Sequence, residues 1–210
     1  MLVSRLSEKA YKSVKSSVME KPSGTFYSVR KSATELGMSY TPVREALLQL
    51  HAEGLLERVP NVGFFTVKMD MRMITNIYQS RECVEQYVLP KIIRELTSDD
   101  IAFLKQMIES QRQSLLKGDI SAYMKDDQEF HCYLIDKLDN TQISDFYRGV
   151  RTQYRIGSQE IAQEHSMVSV EEHEEFLEML EKKEYEGALK NYAKHAILTV
   201  ERMREGFVTI

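Results

Sequence analysis

Apolar residues recur at three- and four-residue steps along most of this chain, and the rhythm breaks only in its first third. Val3, Leu6, Ala10, Val14 and Val18 set the first stripe and predict a helix over residues 3–19. In the loop that follows, PSGTFYS, Ser28 is placed to cap a short helix. That helix ends at Leu36 and Gly37, where glycine suits the left-handed position just past a helix end. Val43, Ala46, Leu47 and Leu50 form the next stripe, with Ser39 or Thr41 as cap, Pro42 in the first turn and Gly54 closing it. Two short helices across a tight turn make a helix-turn-helix. LLERV and FFTV then flank Pro60-Asn61-Val62-Gly63, which reads as two strands around a turn. Three helices and a hairpin predict a winged helix-turn-helix over residues 1–68.

The rest reads as about six helices. Ile74, Ile77, Tyr78, Val84 and Val88 share one face, and Pro90 is expected to kink or interrupt that helix. Thr97 or Ser98, with Asp99 and Asp100, opens a helix running to residues 117–118. Further helices are predicted over residues 119–138, 141–163 and 185–207. Between the last two, Ser169-Val-Glu-Glu172 has the pattern of a capping box opening another. The expected fold is mainly α: a winged head, 1–68, joined to an all-helical bundle, 69–210.

Composition narrows the class. The longest stretch without Asp, Glu, Lys or Arg is nine residues, 59–67, against about 20 needed to span a bilayer, so no membrane helix is expected. The first residues scatter charge and lack an apolar core, so no secretory signal is visible. Cys83 and Cys132 are far apart and outside any C-x-x-C pattern, which fits a reducing, cytoplasmic setting. The net charge of −4 argues against nucleic acid as a partner until the chain is divided. Residues 1–68 hold 10 basic and 6 acidic side chains, whereas residues 69–210 hold 18 and 26. Only the head is basic, and all four prolines lie within the first 90 residues.

Two groups of residues carry chemistry. On the third helix Thr41, Arg44 and the face near Gln49 are available to a DNA groove, where Arg can donate two hydrogen bonds to a guanine edge. Pairing of Arg44 with Glu45 or Glu57 is the alternative. In the bundle, Asp127, His131, Leu134, Ile135 and Leu138 share one helix face, so an Asp and a His sit on an inward stripe. His173 shares its face with Phe176, Leu177 and Leu180, and His195 follows Tyr192 and precedes Thr199. One Asp and three His pointing into a bundle predict a divalent-metal site of N and O donors, suited to Zn²⁺, Ni²⁺ or Mn²⁺. Arg81 either pairs with Glu85 or clamps a ligand carboxylate, and Asn140 either caps a helix or contacts a pocket. His51, at the end of the third helix, reads as a solvated residue or a phosphate contact, and His165 as a surface residue.

The stretch SATELGMSYTPVREALLQLHAEGLLERVPNVGFF resembles the DNA-binding module of GntR-type transcription regulators. The helical remainder is similar to the FCD ligand-binding domain through RECVE, D-x-x-F-H at Asp127–His131, Asn140, Glu172-His173 and Lys194-His195. The resemblance implies a homodimeric bacterial repressor or activator that binds double-stranded operator DNA in response to a small carboxylate metabolite. It implies operator contacts from Arg30, Tyr40, Thr41, Arg44, Asn61 and Gly63. It further implies metal ligation by Asp127, His131, His173 and His195, and effector contacts from Arg81 and Asn140. The chain departs from the family pattern with Tyr40 in place of an Arg, Val62 in place of a frequent basic residue, and Ser32 in place of a core Leu. A sensor of the metal alone, and a metal-dependent hydrolase, are the other readings.

Overall fold

The computed structural model describes residues 2–158 and 166–208, which divide into two compact units, Met1–Met69 and Asp70–Ile210. His165 and the predicted end of the fourth bundle helix near Gln163 lie outside the described residues.

In the first unit α1 (Leu2–Glu20) packs along α3 (Tyr40–Ala52), burying Ala10, Val14 and Val18 against Val43, Ala46, Leu47 and Leu50. Between them, α2 (Val29–Leu36) starts at Ser28, whose side chain accepts from the Lys31 N–H, and stops at Gly37 with φ 60°. Of the two caps considered for α3, Ser39 holds the position, without a side-chain hydrogen bond. Strands β2 (Leu56–Val59) and β3 (Gly63–Thr66) form the wing, and β1 (Phe26–Tyr27), inside a stretch expected to be loop, adds a third strand in the order β1-β3-β2. At the wing tip the Val62 N–H donates to the Val59 carbonyl at 3.1 Å across Pro60 and Asn61. Pro60 supplies the fixed φ of the first turn position, and Asn61 takes the left-handed one at φ 62°. Gly63 sits where a Cβ would lie 2.7 Å from the Tyr27 carbonyl and 2.6 Å from the Phe26 ring, so β1 can pair closely only with a glycine there.

The second unit contains α4 (Met71–Ile92), α5 (Ser98–Leu116), α6 (Ile120–Asp136), α7 (Thr141–Ser158), α8 (Ser166–Glu181) and α9 (Tyr185–Val208). Their contacts close a ring: α4 packs on α9, α9 on α8, α8 on α5, α5 on α6, α6 on α7 and α7 on α4. Side chains aimed at the centre of such a ring come from several helices at once, which is what a site needs.

Two local expectations are corrected. Pro90 does not interrupt α4, because it falls in the last turn and the helix closes beyond it with the Ile93 N–H bonded to the Leu89 carbonyl. Nor does Ser169-Val-Glu-Glu172 open a helix. Ser169 is buried inside α8, which begins at Ser166, and the Glu172 carboxylate turns to His195 and Arg202. The capping box is on α5 instead, where Thr97 and Asp100 satisfy one another's backbone N–H. Asp100 also accepts from Tyr133 at 2.6 Å and from Lys137, tying α5 to α6.

Candidate metal centre and nucleic-acid interface

The three predicted bundle histidines converge. His131 of α6, His173 of α8 and His195 of α9 are all buried, and each offers a ring nitrogen within 4.8 Å of the others. His173 Nε2 lies 3.3 Å from His195 Nε2, and Asp127 Oδ1 lies 3.6 Å from His131 Nε2 and 4.0 Å from His173 Nε2. The opposite ring nitrogens are held from behind. His195 Nδ1 donates to Glu172 Oε2 at 2.6 Å, His173 Nδ1 faces Gln111 Oε1 at 3.4 Å, and His131 Nδ1 meets the Tyr192 hydroxyl. Such partners fix ring orientation and choose the tautomer.

That tautomer choice tests whether a cation fits. A carboxylate and an amide oxygen can only accept, so His195 and His173 each donate through Nδ1, and a neutral His173 ring then keeps its Nε2 as an acceptor. Burial pushes His131 and His173 well below the usual imidazole range, with Arg151 and His195 respectively adding to the effect, so both rings are neutral at pH 7. The His173 Nε2 lone pair then lies 3.3 Å from His195 Nε2, while the buried His131 Nε2 has no hydrogen-bond partner. A proton-poor cluster of this kind fits a cation held by neutral imidazoles and a carboxylate. Burial alone would push the Asp127 carboxyl up, yet Arg151 beside it, then His131, hold it well below its ordinary range. Such a carboxylate is ionised and ready to ligate.

Arg151 was not expected from the sequence. It reaches in from α7, is 1% exposed, and gives Nη2 to Asp127 Oδ2 while its Nε and Nη1 are buried and unpaired. A signal existed, since Tyr147, Val150, Arg151 and Tyr154 share one apolar face of α7. Opposite it on α4, Arg81 is also 1% exposed and pairs through Nε with Glu85 at 3.0 Å, which in turn accepts from Tyr147. Its Nη2 is left unpaired. Arg81 therefore makes the expected pair with Glu85, and the N–H groups of its Nη2 remain available.

Asn140 is the exception among the predicted site residues. It is exposed and accepts from the Ile143 N–H at 3.2 Å at the start of α7, so it caps a helix. A groove of about 440 Å³ runs between α4 and α9, and Tyr78, Glu85 and Tyr192 contribute to its lining. These are the side chains that stack on Arg81, pair with it and hold His131.

In the head, Arg30 on α2 and Tyr40, Thr41 and Arg44 on α3 are exposed, as is Asn61 on the wing. Arg30, Tyr40, Arg44, Asn61 and Gly63 border one concave surface of about 320 Å³, together with Arg58 of β2, which is not among the residues expected at the operator. Arg44 does not pair with Glu45, which accepts from Ser7 at 2.9 Å. His51 is not free to reach phosphate through Nδ1, which donates to the Leu56 carbonyl at 2.8 Å.

A winged helix with a basic concave face and a separate helical unit with a histidine centre define a two-part regulatory architecture. Residues 6–66 match the model of the bacterial regulatory proteins, gntR family, and residues 76–196 match the FCD domain. The chain belongs to the GntR family of bacterial regulators that carry an FCD domain. It is 32% identical over 126 residues to the Nta operon transcriptional regulator of Aminobacter aminovorans, an alignment covering 59% of each chain. Against the HTH-type transcriptional regulator McbR of Escherichia coli it is 30% identical over 118 residues, 50% of this chain and 53% of the relative. The chain thus spans between half and three-fifths of these curated relatives. The solved structure of McbR from E. coli matches 99% of both chains with a TM-score of 0.79 at 20% identity, a likeness of fold. Relatives named in this way are transcriptional regulators and not enzymes, so the hydrolase reading is not carried forward. No helix among the described residues is long and apolar enough to cross a membrane.

Proposed function

We propose that the chain is a homodimeric, operator-binding repressor whose helical unit holds a divalent metal and a small carboxylate effector. The observation that carries the sensing half is the convergence of His173 Nε2 and His195 Nε2, 3.3 Å apart, beside the unpaired His131 Nε2. Asp127, His131, His173 and His195 would hold the ion, which supplies a Lewis-acidic anchor for an anion. Zn²⁺, Ni²⁺ and Mn²⁺ all suit this donor set. Arg151 orients Asp127 and, with Arg81, presents buried N–H donors that a carboxylate can satisfy bidentately. The α4–α9 groove is the route by which such an effector would reach Glu85 and Arg81. In the head, Arg30, Thr41 and Arg44 face the major groove, and the wing carries Arg58 and Asn61 alongside.

Effector binding can shift operator affinity only as far as it favours one arrangement of the paired heads over another. In a dimer the two recognition helices would meet half-sites about one helical turn apart. A second reading, a sensor of the metal alone, is favoured by one fact: Glu85 and Asp127 already engage both buried guanidinium groups. Gel retention of duplexes enriched by the protein from a randomised pool separates the two. Retention that changes on adding acetate, malonate or citrate to the metal-replete protein supports the effector reading. A response to Zn²⁺ alone supports the metal sensor. If neither changes retention while Arg44→Ala abolishes it, the chain binds DNA without sensing.

A further inference from the structure

The DNA-reading face of the head carries an aromatic ring in a place where nothing in the protein explains it. Tyr40 opens α3 and is 56% exposed, with no ring partner and no hydrogen bond among the described residues. Phe26, the other exposed aromatic ring of the head, differs in this respect because it packs on Phe65 at a centroid distance of 5.2 Å. Tyr40 also lies on the concave surface with Arg30, Arg44 and Arg58. Arg44 is one helical turn further on, so the two side chains share a face of α3. Residues at the start of a recognition helix are the ones that reach base edges.

An uncharged ring in the major groove has a specific target. Thymine alone presents a methyl group there, and apolar contact with that methyl is how a side chain without a charge tells thymine from the other bases. Val62, also 56% exposed on the same surface, extends its apolar character to the wing. We propose that Tyr40 is a specificity-determining residue that selects thymine through its C5-methyl group, beside a guanine read by Arg44. The inference rests on the DNA-binding reading of the head given above.

The test uses the full chain and duplexes that it enriches from a randomised pool. Each thymine of the enriched half-site is replaced in turn by deoxyuridine, which removes only the methyl. Loss of one buried methyl-sized group weakens binding about fourfold. Such a loss is expected at one thymine per half-site for the wild type and for Tyr40→Phe, and is expected to vanish in Tyr40→Ser. Because Tyr40 is exposed, these variants retain the fold, which circular dichroism checks. Equal affinity for thymine and uracil at every position overturns the proposal, as does an unchanged penalty in Tyr40→Ser. Loss of discrimination in Tyr40→Phe also overturns it, since the hydroxyl would then be acting on phosphate or a base edge. Failure to enrich any sequence removes the DNA-reading head itself, a result distinct from enrichment without methyl dependence.

Discussion

His173 Nε2 faces His195 Nε2 at 3.3 Å, and each ring turns its Nδ1 to an acceptor on α5 or α8. The proposed cation between them would tie α8 to α9 and, through His131, to α6.

The first consequence is a chelator-sensitive fold. A ligand that binds only the folded state adds about 2.7 kcal/mol when present at about 100 times its dissociation constant, on the order of 8 °C for a unit of this size. Calorimetry should show the bundle transition of the wild type falling by roughly that amount in excess EDTA. In His173→Ala the midpoint should be lower from the outset and unmoved by chelator. Equal sensitivity in both proteins, or none in either, would remove the metal from the proposed function.

Glu172 supplies a second prediction. Burial pushes its carboxyl up, but the hydrogen bonds from His195 and Arg202 prevail and hold it at about 2, against 4.5 for the free group. A carboxyl whose folded value is depressed stabilises the protein above its unfolded value, and that contribution disappears as pH falls from about 4.5 towards 2. The stability difference between wild type and Glu172→Gln should shrink as pH falls below 4.5. At neutral pH the same substitution weakens the acceptor behind His195, and a loss of 10- to 100-fold in metal affinity is expected, read by competition with a chromophoric chelator.

Much of this centre is legible from helical periodicity alone. Asp127 and His131 stand one turn apart on a stripe with Leu134 and Ile135, and His173 and His195 lie on apolar faces, so their convergence follows once the helices bundle. Their partners are another matter. Glu172, Gln111 and Tyr192 matter through distances to rings on other helices, and Glu172 in sequence resembles a cap because Ser169 precedes it by three residues. Asn140 was read two ways, and local geometry decides for the cap. In the head the helices follow from their stripes and caps, whereas the two-residue strand Phe26–Tyr27 exists only because β3 lies beside it. A segment that short has no period to read.

Arg151 yields the third prediction, since its pairing with Asp127 is fully buried. Arg151→Met leaves a carboxylate with no counter-charge, and breaking a buried pair in this way costs about 3–5 kcal/mol. Urea unfolding in the presence of chelator should show that loss, and adding Asp127→Leu should recover most of it. Added metal should narrow the gap for Arg151→Met, because an ion on Asp127 replaces the missing positive charge. A variant as stable as wild type in chelator would mean that Asp127 finds water or another donor, and that Arg151 is not what holds it in place.

The wing can be tested apart from the bundle. Gly63 pairs with Val59 in the hairpin, and its open side faces the Tyr27 carbonyl and the Phe26 ring. A methyl group there would lie 2.7 Å from the carbonyl oxygen, which is backbone and cannot swing away as a side-chain tip could. Gly63→Ala must therefore push β1 off β3, at a cost of roughly 1–3 kcal/mol to the head. Asn61→Gly is the matching control, because φ 62° at the turn suits glycine at least as well as asparagine. The expected result is a lowered head transition and weakened DNA retention in Gly63→Ala, with the chelator response of the bundle unchanged, and head stability close to wild type in Asn61→Gly. If retention also falls in Asn61→Gly while the head stays folded, the asparagine side chain itself touches DNA. Should Gly63→Ala leave both stability and retention unchanged, the β1–β3 pairing is not what sets the wing.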